Sequence, residues 1–285
     1  MTQAPPTEPG QRRRPGLRRP WRGRPWRAGL APLRTALGLF TVIPVKAGPG
    51  IGRDDAARAV LWLPVVGALL AVPAGGVLLA VQAGGQATPR RLLAAALALG
   101  VLALLTGGLH LDGLADTADG LGSRKPAAQA LEVMRRSDTG PMGVAALVFT
   151  VLVQVTAVAV ITPRWLSAAA LITAVVTSRV AVLLGSGVPG ARSGGFGALI
   201  AGTTSRGARW LACGGLLAVI GAAGGAAGGL ALALRGLGAV ACGLVAATAL
   251  RRIAFRRLGG MTGDVYGAII EISTAVVLLV AGLSS

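Results

Sequence analysis

Three aspartates, Asp112, Asp116 and Asp119, form the densest acidic group in this 285-residue sequence. Their i, i+4, i+7 spacing places the three carboxylates within about 60° of one helix face, because successive helical residues turn by about 100°. Carboxylates crowded in this way raise one another's pKa unless a cation neutralises them. Oxygen ligands around a partly hydrated divalent ion are what Mg²⁺ prefers, so the spacing predicts a Mg²⁺ site. A helix end that exposes its acids to water is the structural alternative.

Other polar residues are candidates for the same site. His110, the only histidine, is two residues before Asp112 and is a candidate either for orienting ligands or for accepting a proton. Glu271 and Arg179 lie inside apolar runs, where a charge is expensive unless it is paired or lines a polar cavity. They predict either functional groups or a structural ion pair with each other. Asp264 is seven residues before Glu271, so these two acids share a helix face.

Glycine and basic residues accompany the aspartates. Gly113 and Gly120 predict a close approach of phosphate-bearing ligands to the backbone, because glycine has no side chain to block it. A ring of Lys and Arg suits phosphorylated substrates and metal-assisted phosphoryl transfer. The positive-inside bias of membrane proteins also supplies such a ring, so the interpretation depends on the aspartates. The basic residues are Arg124, Lys125, Arg135, Arg136, Arg192, Arg206, Arg251, Arg252, Arg256 and Arg257.

The composition indicates the solvent in which these residues are positioned. Hydrophobic residues make up 53% of the chain and charged residues 13%, and the mean hydropathy is +0.69, which is typical of a chain embedded in lipid. The net charge is +18, yet the basic residues fall between apolar runs, so nucleic acid is not an expected partner. Cys213 and Cys242 lie in apolar stretches, which predicts neither a disulfide nor a zinc site. Pro44 interrupts the first apolar piece, and no signal peptide is predicted.

The apolar runs predict an all-α fold, a polytopic membrane helical bundle with about seven transmembrane helices. Most runs reach the roughly 20 residues that cross a bilayer core. The run at 236–250 is short, and the piece at 39–45 is predicted to be an interfacial or half-inserted helix. The predicted spans are 59–83, 92–111, 143–162, 165–188, 210–234, 236–250 and 265–283.

The two ends of the chain differ in character and sidedness. Residues 1–34 contain nine arginines and little apolar surface, which predicts a disordered basic tail near anionic headgroups, whereas residues 35–285 form the membrane-embedded domain.

The distribution of basic residues predicts the orientation in the membrane. With the tail inside, 23 of the 28 Lys and Arg lie on that side and four on the other. The positive-inside rule then places the amino terminus and the long loops in the cytoplasm. We expect a bacterial cytoplasmic (inner) membrane protein whose active site faces the cytoplasm.

Four motifs carry a family resemblance. Residues 106–120 read TGGLHLDGLADTADG, which resembles the signature of the cobalamin-5′-phosphate synthase (adenosylcobinamide-GDP ribazoletransferase) family. FTVIP at 40–44, LPVVG at 63–67 and RLGGMTGD at 257–264 resemble other elements of that family, in the same order. The resemblance extends over 36–283 and leaves the tail outside. One departure is RSD at 136–138, where many members have DSR, so the charges flanking Ser137 are exchanged.

The resemblance implies a Mg²⁺-dependent membrane transferase of cobalamin biosynthesis. It would join adenosylcobinamide-GDP to α-ribazole or its 5′-phosphate and release GMP, with Mg²⁺ on the three α-helical aspartates and Asp119 or His110 accepting a proton. Its expected partners are these substrates and the lipid bilayer, and a homo-oligomer is left open. The expected substrate or phosphate contacts are Gly113, Gly120, Arg135, Ser137, Arg179, Arg257 and Asp264.

Two alternatives remain at this point. A CDP-alcohol phosphotransferase also uses Asp-Gly elements on membrane helices, but its signature continues with Ala-Arg, whereas here Leu-Gly-Ser follows Asp119-Gly120. A cation-coupled transporter would explain the intramembrane charges of Arg179 and Glu271, although such proteins usually contain internal repeats and none is found here. Release of GMP from a GDP-activated substrate distinguishes the three.

Overall fold

The computed structural model describes residues 29–45 and 51–285, and within these ranges the chain forms eleven helices and no β-strand. The predicted all-α fold is confirmed. Residues 1–28 of the predicted tail lie outside the described residues, and the last four tail residues belong to the first helix. The helices are α1 (Ala31–Phe40), α2 (Arg53–Val60), α3 (Leu63–Ala83), α4 (Thr88–Leu105), α5 (Leu109–Gly122), α6 (Ala127–Val133), α7 (Pro141–Val160), α8 (Arg164–Gly185), α9 (Phe196–Ile200), α10 (Arg206–Leu258) and α11 (Gly263–Leu283).

Six of the described helices are long and apolar enough to cross a bilayer: α3, α4, α7, α8, α10 and α11. The 53-residue α10 is two arms, because Gly228 and Gly229 have non-helical backbone angles. The arms fold back on each other as an antiparallel hairpin. A Cβ on Gly224 would lie 2.7 Å from the Cα of Ala233, and one on Gly236 would lie 2.9 Å from the side chain of Ile220. With α10 counted as two arms, the described residues contain seven candidate crossing segments, in agreement with the predicted number of about seven.

Two predicted boundaries are wrong because glycine ends a helix inside an apolar run. The span predicted at 92–111 ends at Leu105, and α5 begins after Gly107 and Gly108. The break predicted at Arg235 lies instead at 228–229, so Arg235 belongs to the second arm of α10. Hydropathy identifies apolar segments, but it does not show where the backbone leaves the helix.

The bundle is organised around α8 and α11, the most buried of the six long helices. Helix α11 packs against α5, α7, α8 and α10, and α8 packs against α3 and α10. Small residues permit the close approach, for example Gly67 of α3, whose Cβ would lie 3.2 Å from the carbonyl oxygen of Val175. The outward faces are apolar, with Val72, Phe149 and Leu211 each more than 60% exposed, as expected for side chains in contact with lipid.

The long connections meet at one end of the bundle. Ala191 N–H donates to the carbonyl of Met261 at 2.9 Å, and Met261 N–H donates to Pro189 at 2.9 Å, which docks the 186–205 loop against the α10–α11 connection. The guanidinium of Arg53 on α2 donates to the carbonyls of Ala198 and Ala201. We call this the loop end of the bundle. The short connections, including the α10 hairpin and the carboxyl terminus, lie at the opposite end.

Seven crossing segments place the loop end and the carboxyl terminus on opposite sides of the membrane. Reporter fusions after Gly140 and after Ser285 should therefore give opposite sidedness, measured with a periplasm-dependent phosphatase and a cytoplasm-dependent fluorescent protein. A fusion after Gly229, in the hairpin, serves as the control and should agree with Ser285. Matching sidedness for Gly140 and Ser285 would contradict this arrangement.

Candidate active site

Helix α5 positions the acidic residues. It begins after Gly107 and Gly108, whose φ angles of 61° and 73° are in the left-handed region that glycine enters without strain. This turn directs α5 along α11 and α7. All three predicted aspartates lie within α5, so the predicted helical spacing is confirmed.

The amino-terminal end of α11 brings a fourth carboxylate to this group. Gly113 packs so closely against α11 that a Cβ at this position would lie 2.7 Å from the carbonyl oxygen of Asp264. Thr262 caps α11 by accepting a hydrogen bond from Val265 N–H at 3.2 Å, and its hydroxyl lies 3.2 Å from Asp264 Oδ2. Arg192 Nη1 lies 4.0 Å from the same Oδ2. Asp264 is therefore placed between the aspartates of α5 and one guanidinium.

The carboxylates interact electrostatically. Partial burial, followed by the negative charges of Asp112, Asp264 and Asp119, raises the pKa of Asp116 from 3.8 to about 6, and Arg192 opposes this shift. Negative charge at this position is therefore incompletely neutralised by the described residues. Such a group has the electrostatic character of a cation site.

The acidic group provides oxygen donors of the kind that bind Mg²⁺. Carboxylate oxygens are the ligands that this ion prefers, and repulsion among them is relieved when a cation binds. Among residues 29–45 and 51–285, no three His, Cys, Asp or Glu side chains already converge as a metal site. The donor chemistry fits a divalent cation, and the side chains have to draw together to bind one.

Asp119 has a structural role as well as its predicted one. Its Oδ2 accepts a hydrogen bond from Gly140 N–H at 2.7 Å, and its Oδ1 accepts one from Gly143 N–H at 2.8 Å. These amides lie at the start of α7 and have no intrahelical partner, so Asp119 caps α7 from a neighbouring helix. Each oxygen keeps further acceptor capacity. Its roles as metal ligand and proton acceptor stay predictions.

Arg192 lies beside the acidic group in a cleft of about 140 Å³ between the 186–205 loop and the start of α11. Its Nη2 donates to the carbonyl of Leu131 at 2.7 Å, which fixes the guanidinium, while its buried Nε has no partner among the described residues. A planar, fixed guanidinium is well suited to phosphate. Arg192 is therefore the basic residue that the structure places closest to the carboxylates.

The other predicted phosphate contacts are less closely placed. Arg135 lies close enough to Arg192 to lower the pKa of Arg192, whereas the side chains of Ser137 and Arg257 are exposed and make no hydrogen bond to another described residue. Gly120 is buried against α6 and the residue that follows it, since a Cβ there would overlap the Met134 side chain and lie 3.3 Å from the carbonyl oxygen of Ala130. Gly113 and Gly120 thus serve helix packing in this structure, and contact with phosphate stays a prediction.

His110, Arg179 and Glu271 form a second polar group, deeper in the bundle. They line one cavity together with Gln154, whose Nε2 donates to Glu271 Oε2 at 2.9 Å. Arg179 Nη1 donates to Ser178 Oγ at 3.0 Å. The described residues contain no direct ion pair between Arg179 and Glu271, although a structural pair was one of the two expectations. His110 therefore lies in this cavity rather than among the aspartates.

Three residues of these sites were missed or undervalued by the sequence analysis. Gln154 is a lone amide in an apolar run, which is a usable signal for an intramembrane polar site. Thr262 lies in the Thr-Gly-Asp element of the fourth motif. Arg192 was one of ten basic residues, and nothing in the sequence distinguished it, because its position depends on the docking of a loop.

Comparison with known proteins gives matches over most of the chain. A model of the family described as cobalamin-5-phosphate synthase matches residues 32–282. An adenosylcobinamide-GDP ribazoletransferase from Frankia casuarinae is 39% identical over 88% of this chain and 94% of its own length. Relatives of the same name from Bradyrhizobium diazoefficiens and a Nocardioides species are 38% and 39% identical, over 88% and 86% of this chain and 93% and 96% of theirs. No solved structure matches. These matches confirm the resemblance carried by the four motifs.

Because Asp119 caps α7 and Asp116 is repelled by its neighbours, replacing each by Asn should affect the stability of the fold differently. Asp119→Asn removes one acceptor from the start of α7 and should cost about 1–2 kcal/mol. The pKa of Asp116 is raised in the folded state, so its ionisation destabilises the fold as pH rises from 3.8 to about 6. Asp116→Asn should therefore leave stability at pH 7 unchanged or higher.

Thermal unfolding of the two purified variants in one detergent measures this difference. A melting temperature lowered for Asp119→Asn alone is the expected result. Equal destabilisation by both substitutions would contradict the division of roles on α5.

Proposed function

Because the chain belongs to the cobalamin-5-phosphate synthase family, we propose that it transfers the adenosylcobinamide-phosphate group of adenosylcobinamide-GDP to α-ribazole or its 5′-phosphate, with release of GMP. The chain is a transferase of the adenosylcobinamide-GDP ribazoletransferase type. The observation that supports the proposed chemistry is the grouping of four carboxylates and Arg192 at the loop end. This group combines acceptors for a cation and a proton with a donor for phosphate. Family membership decides against the phospholipid enzyme and the transporter.

The reaction is a displacement at phosphorus. A ribose hydroxyl of the acceptor attacks the phosphorus nearer the corrinoid, a new P–O bond forms, and the bond to the GMP oxygen breaks. The hydroxyl proton passes to a carboxylate of α5. Asp119 is the predicted acceptor and His110 is the rival candidate. Two backbone amides fix the position of Asp119, whereas His110 lies in the deeper cavity, which favours Asp119. GMP leaves with the electron pair of the broken bond.

The residues around the cleft orient the pyrophosphate. Arg192, held by the carbonyl of Leu131, donates to a phosphate oxygen and offsets developing negative charge. Asp112, Asp116 and Asp264 are the carboxylates that would hold Mg²⁺, with Asp119 completing the predicted set. Bound Mg²⁺ supplies charge neutralisation for the pyrophosphate. Without a cation, the carboxylates would repel the substrate, so we propose that activity requires a divalent ion.

The membrane assignment follows from charge. The loop end contains exposed Arg124, Lys125, Arg136, Arg252 and Arg256, and positive residues favour the cytoplasmic side. We therefore place the protein in the bacterial cytoplasmic membrane with this site facing the cytoplasm. Soluble nucleotide-activated substrate would then reach the cleft directly.

Detergent-purified protein incubated with adenosylcobinamide-GDP, α-ribazole and Mg²⁺ should yield GMP and a cobamide in equal amounts, measured by chromatography. Arg192→Ala should lower kcat/KM by about 10²–10³, because a fixed donor to the reacting phosphate is lost. Arg90→Ala, an exposed arginine at the opposite end, is the matched control and should remain within two-fold of wild type. Release of CMP from a CDP-activated lipid, or of no nucleotide, would contradict the proposed function.

The raised pKa of Asp116 predicts a pH-dependent metal affinity. Below about pH 6 this carboxyl is protonated and the proton competes with the cation, so affinity should fall between pH 7.5 and pH 5. Mn²⁺ binding, followed by electron paramagnetic resonance, measures this directly. Activity at limiting Mg²⁺ should decline over the same range and recover when Mg²⁺ is raised. Full activity in excess chelator would exclude the metal site.

A further inference from the structure

A cavity of about 210 Å³ lies between α4, α5, α7, α8 and α11, deeper in the bundle than the acidic group. Its polar residue Glu271 is seven residues along α11 from Asp264, and His110 is six residues along α5 from Asp116. At 1.5 Å per residue, these separations correspond to about 9–11 Å of helix. The distance between the cavity and the carboxylates is therefore about the length of one nucleoside.

The lining of the cavity comprises an apolar set of residues, called the apolar wall, and a polar set, called the polar wall. Leu99, Gly100 and Ala103 of α4 and Val151 and Val155 of α7 form the apolar wall. The polar wall consists of His110, Gln154, Arg179 and Glu271. A ligand with flat apolar faces and polar edges is complementary to both walls.

The polar wall contains a buried group that lacks a partner. His110 is 4% exposed, and its Nε2 makes no hydrogen bond to any described residue. Burying such a nitrogen unpaired, at the depth of the bilayer, costs free energy. Gln154 donates to Glu271 and Arg179 donates to Ser178, and the two charged groups form no direct ion pair among the described residues. These groups are arranged around the cavity and leave hydrogen-bonding capacity directed at a ligand.

The two opposite charges restrict the class of ligand. A free cation would meet Arg179, and a free anion would meet Glu271, each at low dielectric. A lipid acyl chain would leave His110 unpaired. A neutral heteroaromatic ring presents a nitrogen at its edge to the unpartnered His110 and packs its faces on the apolar wall. The cavity is smaller than the roughly 300–1,000 Å³ typical for drug-sized ligands, which suits a single bicyclic ring.

We propose that this cavity binds the benzimidazole base of the nucleoside acceptor, with His110 as a hydrogen-bonding partner of the ring. The ribose of α-ribazole then extends toward the loop end, where its hydroxyl meets the carboxylates. The inference rests on the proposed function for the identity of the acceptor. It assigns His110, Gln154 and the α4 residues of the apolar wall to acceptor specificity rather than to phosphoryl transfer.

Cavity-filling variants test this assignment. Gly100 lines the cavity, and a Cβ added to it would have no atom within 4 Å, so Gly100→Leu introduces a side chain without a backbone clash. Ala103→Leu fills the same wall one turn later. Gly76→Leu is the matched control, because Gly76 is exposed on α3, has equally open space and does not line the cavity.

The expected result is a rise of at least ten-fold in KM for α-ribazole in both filling variants. Their KM for adenosylcobinamide-GDP should stay within two-fold of wild type. The Gly76→Leu control should have an unchanged KM for both substrates. His110→Phe keeps an aromatic ring but removes the nitrogens, and it should likewise raise KM for α-ribazole without raising KM for adenosylcobinamide-GDP. An unchanged KM for α-ribazole in both filling variants, or an equal rise for both substrates, overturns the inference while the proposed function stands.

A binding measurement separates the inference from turnover. Benzimidazole alone should bind the wild-type protein, compete with α-ribazole, and bind the two filling variants at least ten-fold more weakly, as measured by calorimetry in detergent. Undiminished binding of benzimidazole by both variants would place the base elsewhere. Failure of the wild-type protein to release GMP from the two substrates would instead reject the proposed function.

Discussion

The contact of α5 with the amino-terminal end of α11 determines the geometry of the site. Gly113 allows the two helices to approach until a side chain on it would overlap the backbone of Asp264. One turn deeper, Gly267 of α11 packs against the backbone of His110 in the same way, since a Cβ on Gly267 would lie 3.1 Å from the carbonyl oxygen of His110. Small residues at both positions bring the backbones together. The acidic group and the deeper cavity are therefore positioned by one helix pair.

This arrangement places like charges close together, and hydrogen bonds and one guanidinium at the edges of the site offset part of their repulsion. Asp119 uses its carboxylate to cap α7, and Arg192 lies between its carbonyl partner and Asp264. Asp116, by contrast, has no comparable partner among the described residues, and its pKa is raised to about 6. Concentrated charge that stability alone does not favour is typical of sites that bind a cation or a substrate. The family membership of the chain agrees with that interpretation.

The loop end and the bundle interior supply different chemistry. At the loop end, water reaches the carboxylates and basic residues, which suits exchange of nucleotide and metal. In the interior, the cavity lies between helices and contains polar groups at low dielectric, where a hydrogen bond discriminates strongly between ligands. Under the proposed function, the two substrates would meet where these environments adjoin, and α5 connects them.

The sequence alone determined the membrane class, the helical fold, the acidic face of α5 and the family. Each of these depends on local composition or on spacing along one helix, as the i, i+4, i+7 aspartates show. The tertiary structure decided which distant residues join them. Arg192 reaches Asp264 only because a loop pairs with Met261, and Asp119 meets Gly140 and Gly143 only because α7 packs beside α5.

The breaks at 106–108 and 228–229 were likewise decided by packing. Apolar sequence continues through both, and glycine is also common inside membrane helices, so hydropathy does not distinguish a turn from a span. The deeper cavity has the same origin, since Gln154, Arg179 and Glu271 come from three different helices. Which side chains share a cavity depends on how helices rotate and cross, and that information resides in contacts between segments rather than in any one of them.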